Sequence, residues 1–86
     1  MTENEIIERI AELYPDAVID IAGADCNFEV FVISERFADM GLLQRQKSIL
    51  ALFRDEITSG KLHALSVRAK TPQEQSAGSG LVQIKL

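Results

Sequence analysis

The sequence predicts an α+β domain, αββααβα, in which helices cover one face of a three-stranded mixed sheet. Three observations predict it. An apolar stripe at helical spacing follows a strong helix start at residues 2–5. Three short segments rich in Val, Ile, Leu and Phe, at 17–22, 28–33 and 62–69, have the length and make-up of strands. The first two stand close enough for a hairpin, while the third follows only after helical patterning, so it should join the sheet in parallel by a right-handed crossover. With 86 residues the chain holds one domain.

Taken in order, Thr2-Glu3-Asn4-Glu5 reads as a capping box, and Ile6, Ile7, Ile10, Leu13 and Tyr14 form the stripe that Pro15 ends. The strands Ala17–Ala22 and Phe28–Ile33 flank a loop, Gly23-Ala24-Asp25-Cys26-Asn27. Ser34 can cap a short helical turn through Phe37. After Gly41 a longer helix is expected, with Leu42, Leu43, Ile49, Leu50, Phe53 and Ile57 inside an arc of about 120° as its packed face. Gln46 shares that arc, Lys47 and Arg54 lie together on one flank, and Arg45 lies on the other. Gly60 suits a left-handed cap. In the third strand, Leu62 to Ala69, His63, Leu65, Val67 and Ala69 share one parity. Thr71-Pro72-Gln73-Glu74 is a second capping box with Pro at the first helical position. Residues 1–77 form the domain on this reading. Residues 78–86 form a C-terminal tail whose alternating Leu81-Val82-Gln83-Ile84-Lys85-Leu86 is either an added edge strand or disordered.

Composition narrows the function classes. Nine Lys and Arg against thirteen Asp and Glu give a net charge of −4, unfavourable for a protein that holds nucleic acid chiefly by neutralising phosphates. The balance is uneven: residues 1–29 carry eight acids and one base, and residues 61–86 carry one acid and four bases. A single cysteine cannot close an intrachain disulfide, which favours a reducing, cytoplasmic setting. No basic leader or membrane-length apolar run is expected to direct the chain elsewhere.

Cys26 and His63 are the one thiol and the one imidazole, both soft enough to hold a transition metal. Two ligands do not close a site of about four donors, so any metal must be shared with another molecule. On spacing alone the plainer reading prevails, a small buried cysteine and a core histidine. A Cys/His nucleophilic pair lacks an oxyanion loop, and no nucleophile elbow surrounds any serine. The Gly-x-x-Gly clamp of a KH-type RNA binder is absent, since the glycines stand at 23, 41, 60, 78 and 80. Arg45, Lys47 and Arg54 are the candidate phosphate contacts, against the plainer role of a solvated flank.

Val32-Ile33-Ser34-x-x-Phe37, Leu42-Leu43-Gln44-Arg45-Gln46-Lys47, His63-Ala64-Leu65 and Thr71-Pro72-Gln73-Glu74 stand in the order and spacing of the BolA family, with Cys26-Asn27-Phe28 at its hairpin. The chain resembles that family over roughly residues 5 to 75. The resemblance implies a fold related to the second KH class and a small non-catalytic adaptor that pairs with a monothiol glutaredoxin to bind or pass on a [2Fe-2S] cluster. Glutaredoxin and glutathione would supply two thiolates, His63 and Cys26 the remaining ligands, and the isolated chain, alone a monomer or weak homodimer, would bind the cluster weakly or not at all. Some members are described as DNA-binding regulators that use the long helix, which gives Arg45, Lys47 and Arg54 an alternative role. The chain departs from the family at Gln46, where a histidine is common, at Asp39, where glycine is common, and at Gln75, where tryptophan is common.

Overall fold

The computed structural model describes residues 1–24 and 27–76. The tail at 78–86 and the hairpin residue Cys26 lie outside the described residues. The elements are α1 (Glu3–Leu13), β1 (Val18–Ala24), β2 (Asn27–Ile33), a 3-10 turn (Glu35–Asp39), α2 (Leu42–Leu50), a second 3-10 turn (Ala51–Phe53), α3 (Arg54–Ser59) and β3 (Ala64–Lys70). Residues 72–76 are helical again and are labelled α4. The α+β order αββααβα is therefore observed, as helices over a three-stranded mixed sheet.

The strands lie in the order β1-β2-β3, with β1 antiparallel and β3 parallel to β2. Pairing runs from Val18 opposite Ile33 to Ala24 opposite Asn27, so three residues of the predicted loop, Gly23, Ala24 and Asn27, belong to the strands. Gly23 makes the close pairing possible. Its φ is +119°, and a Cβ there would stand 2.2 Å from the Asn27 carbonyl oxygen.

The core lies between sheet and helices. Val30 and Val32 of β2 and Val67 and Ala69 of β3 meet Ile6 and Ile10 of α1, with Ile49 and Phe53 beyond. Phe37, fully buried, fills the space beneath Tyr14, whose ring centroid is 4.7 Å away. The Tyr14 hydroxyl is 2.7 Å from Ser48 Oγ, so α1 and α2 share a hydrogen bond at the rim of this core. Arg9 ties the same helix to α3, donating to the Leu52 carbonyl at 3.0 Å and to Glu56 at 2.7 Å.

The predicted caps form. Thr2 and Glu5 exchange hydrogen bonds as a capping box. Ser34 Oγ accepts from the Arg36 N–H and donates to Asp16, fixing the exit of β2 against the loop before β1. Gly60 takes a left-handed φ of +86°.

The long helix needs correction. It is two helices, α2 and α3, joined by a 3-10 turn, and its buried face keeps Ile49 and Phe53 of the predicted arc but is displaced towards Arg45. Arg45, Ile49 and Phe53 are buried, whereas Leu42 and Leu43 are 70% and 63% exposed and Ile57 is exposed. A wheel built on apolar residues alone cannot foresee this, because the charged Arg45 takes an interior place. The third strand also starts two residues later than predicted: Leu62 is fully buried and its N–H donates to the Glu56 carbonyl, so residues 61–63 bend rather than extend.

Candidate metal-ligand end of the sheet

β3 begins at Ala64, opposite Asn27, the first residue of β2. Parallel pairing therefore brings the residue before Ala64 and the chain segment before Asn27 to one end of the sheet. His63 is that residue of the third strand, and Cys26 is the covalent neighbour of Asn27. His63 is exposed. The shared parity with Leu65, Val67 and Ala69 suggested a core position, but the strand alternation does not reach residue 63. Leu62 turns inward instead and anchors the backbone on the α3 carbonyl of Glu56, which leaves the next side chain, the imidazole, outside. A shallow depression of about 330 Å³ lies on the sheet near this end, lined by Gly23, Asn27, Glu29, Ala64 and Ser66 among others, without His63 in its wall. Among the described residues no three His, Cys, Asp or Glu side chains converge as a metal site. The donor available at this end is one exposed imidazole, which suits iron or zinc but cannot hold either alone.

Arg45 is not part of any surface. Its side chain is 4% exposed, and its nitrogens donate to the Met40 carbonyl at 2.9 Å, to the Ala69 carbonyl at 3.1 Å and to both oxygens of Glu74 at 2.6 and 2.9 Å. Glu74 in turn accepts from the Thr71 N–H, closing the second capping box on the same carboxylate. The guanidinium, chiefly through its hydrogen bond, and the Thr71 N–H hold the Glu74 carboxyl down to about 2, and Glu74 raises Arg45 further above its ordinary range. Arg45 is thus an interior fastener between α2, β3 and α4, with four of its five N–H donors engaged inside the protein and the side chain buried away from any phosphate. This corrects its place as a nucleic-acid contact. The sequence held the signal, for Glu74 stands at the third position of the Thr71 box, but nothing local could reveal its partner 29 residues upstream.

Lys47 and Arg54 do stay together on an exposed surface, where they line one groove with Leu50 and Ile57. Two further fasteners escaped the sequence reading. Arg9 lowers the Glu56 carboxyl by its hydrogen bond, and the Ser34 hydroxyl lowers that of Asp16. Both serve the packing of elements rather than a site.

The BolA-like protein family model matches residues 14–74. The chain is 40% identical to mouse BolA-like protein 1 over 53 residues, 62% of this chain and 38% of that protein. It is 27% identical over 74 residues to a protein from the rpoN-murA intergenic region of Acinetobacter guillouiae, covering 86% of this chain and 89% of that one. Its structure superposes on BolA1 from Arabidopsis thaliana with a TM-score of 0.67 and 31% identity, covering 83% of this chain and 92% of the other. The matched region is thus less than half of the mouse protein but nearly all of the Acinetobacter and Arabidopsis chains. With the αββααβα order and the mixed sheet agreeing, the chain belongs to the BolA-like family.

Proposed function

We propose that this chain is an adaptor that pairs with a monothiol glutaredoxin in a reducing, cytoplasmic setting and completes the ligand shell of a shared [2Fe-2S] cluster, with His63 as one ligand and Cys26 as the second. The observation that carries the proposal is the exposed His63 at the sheet end where Asn27, the neighbour of Cys26, opposes Ala64. A core histidine would be sealed from any second protein. An imidazole on the surface, next to a hairpin that carries the one thiol, can meet a thiolate-bearing companion without rearrangement of the core. A bound cluster would supply iron, and this chain's part would be to present the imidazole nitrogen of His63 and the sulfur of Cys26 to it. No covalent chemistry is required of the chain, in keeping with a non-catalytic role.

The experiment mixes the protein with cluster-loaded monothiol glutaredoxin and glutathione and records visible circular dichroism. Wild-type protein should change the cluster bands, His63→Ala should abolish the change, and Cys26→Ser should reduce it. Identical spectra with and without the protein would refute the proposal.

One observation favours a second reading, DNA binding by the outer face of α2 and α3: Lys47 and Arg54 are exposed and have no ion pair among the described residues. Two cations release few counterions, so duplex affinity should fall with a log–log salt slope of only about −2. A slope that is unchanged in K47A/R54A would remove this reading.

A further inference from the structure

The face of the sheet that turns away from the helices is apolar at one end. Val18 stands opposite Ile33 and Ile33 opposite Lys70, so these three share a row, and Phe31 lies in the next row between Asp20 and Arg68. Val18 is 66% exposed, and Phe31 and Ile33 are half-buried without belonging to the core beneath the helices. The three floor a groove of about 600 Å³ whose polar margin includes the Glu29–Arg68 ion pair at 2.7 Å. Among the described residues only Gln75, near the end of α4, lines this groove from outside the sheet. The edges of the sheet, by contrast, are guarded. Gln46 and Arg45 of α2 donate to the Val67 and Ala69 carbonyls of β3 at 3.4 and 3.1 Å, and on β1 the Ile21 N–H donates to the Asp20 carboxylate at 3.0 Å. An added edge strand would find several of the backbone groups it needs already engaged.

We propose that the groove is filled by the chain's own residues 81–86, lying extended across the open face with Val82, Ile84 and Leu86 on Val18, Phe31 and Ile33. Residues 77–86 follow α4 and lie outside the described residues. Leu81-Val82-Gln83-Ile84-Lys85-Leu86 is rich in strand-forming residues, and in an extended chain alternate side chains share one side, so Val82, Ile84 and Leu86 turn together and Gln83 and Lys85 face water. Six extended residues span about 20 Å, within the roughly 23 Å of the seven-residue strands beneath them. The segment also starts in the right place. Gln75 is at the groove, and only Ser76 to Gly80 separate it from Leu81, with Gly78 and Gly80 free to turn the chain back in either hand. Those five residues reach at most about 17 Å, which holds the segment beside the groove at an effective concentration of about millimolar or more. That tether favours this occupant over a segment of a separate chain. The apolar floor lies in the rows of Val18 and Phe31, whereas His63 precedes Ala64 at the other end of β3, so a filled groove leaves the imidazole exposed.

Nuclear Overhauser spectroscopy of the isotopically labelled full chain tests this. Cross-peaks should connect the Val82 and Ile84 methyl groups with the Phe31 ring and the Val18 methyl groups. V82D/I84D should lose them and shift the Val18, Phe31 and Ile33 resonances, while those of Ile6 and Ile10, fully buried in the core, stay in place and show that the domain is folded. Val18→Asp acts from the other side of the contact and should move the Val82 and Ile84 methyl groups to random-coil positions. In an equimolar mixture of labelled and unlabelled chains, isotope-filtered spectra should show no cross-peak between the segment and the groove, because the contact is made within one chain. Wild-type spectra with no contact between residues 81–86 and the groove overturn the proposal, as do cross-peaks that put the segment beside the backbone of β1 or β3. Contacts found only between chains would assign the groove to a second copy, and a groove occupied only once a glutaredoxin is added would assign it to that partner; either result overturns the proposal.

Discussion

His63 and Leu62 exchange the roles that strand alternation assigns them, and the reason is a single turn. Gly60 ends α3 in the left-handed region, the Leu62 N–H closes on Glu56, and the chain enters β3 only at Ala64. The imidazole is outside because the leucine before it has taken the interior place. Residue types alone identified the candidate ligands, but their exposure depended on this turn and was not legible. Gly23 shows the same locality in the hairpin. Its positive φ and the Asn27 carbonyl oxygen, which stands where a Cβ would clash, exclude any side chain, so Gly23→Ala should destabilise the fold by more than about 1 kcal/mol in urea unfolding. Ser34 is 1% exposed and caps the 3-10 turn while donating to Asp16. Ser34→Ala should cost about 1–2 kcal/mol by the same measurement, within the usual range for a lost cap.

At the scale of elements, capping boxes, strand composition and glycine caps made α1, the three strands and the start of α4 readable from local pattern. The face of α2 was not, because burial of Arg45 depends on Glu74, the Ala69 carbonyl and the Met40 carbonyl, contacts made only once the chain has folded. The corrected face has a measurable consequence: Ile49→Ala should cost about 2–5 kcal/mol, whereas Leu43→Ala, on the exposed side, should stay within about 0.5 kcal/mol. The fastening of α4 depends on pH. Glu74 has its carboxyl lowered from 4.5 to about 2 in the folded chain. Between those values the unfolded state binds more protons than the native state, so the stability this group adds is complete above about pH 5 and is lost as pH falls towards 2. The Tm of wild type should therefore exceed that of Glu74→Gln at pH 6, and the gap should narrow through that window. A gap that is constant from pH 6 to pH 2 would show that the ion pair contributes nothing.

The whole molecule is a sheet with its helices on one side and the exposed His63 at one end. Parallel pairing of β2 and β3 sets that end, since the crossover through α2 and α3 returns the chain to the level where the hairpin turns. The topology was legible because an antiparallel hairpin followed by a helical crossover leaves few arrangements open to so short a chain. The two-donor set was legible as incomplete, and incompleteness is the basis of the proposed shared cluster. Pulsed electron paramagnetic resonance of the reduced cluster, formed with glutaredoxin, glutathione and this protein, measures that ligation most directly. The account predicts a strongly coupled imidazole nitrogen that disappears in His63→Ala, and a spectrum without nitrogen coupling, the same as that of the glutaredoxin cluster alone, would contradict it.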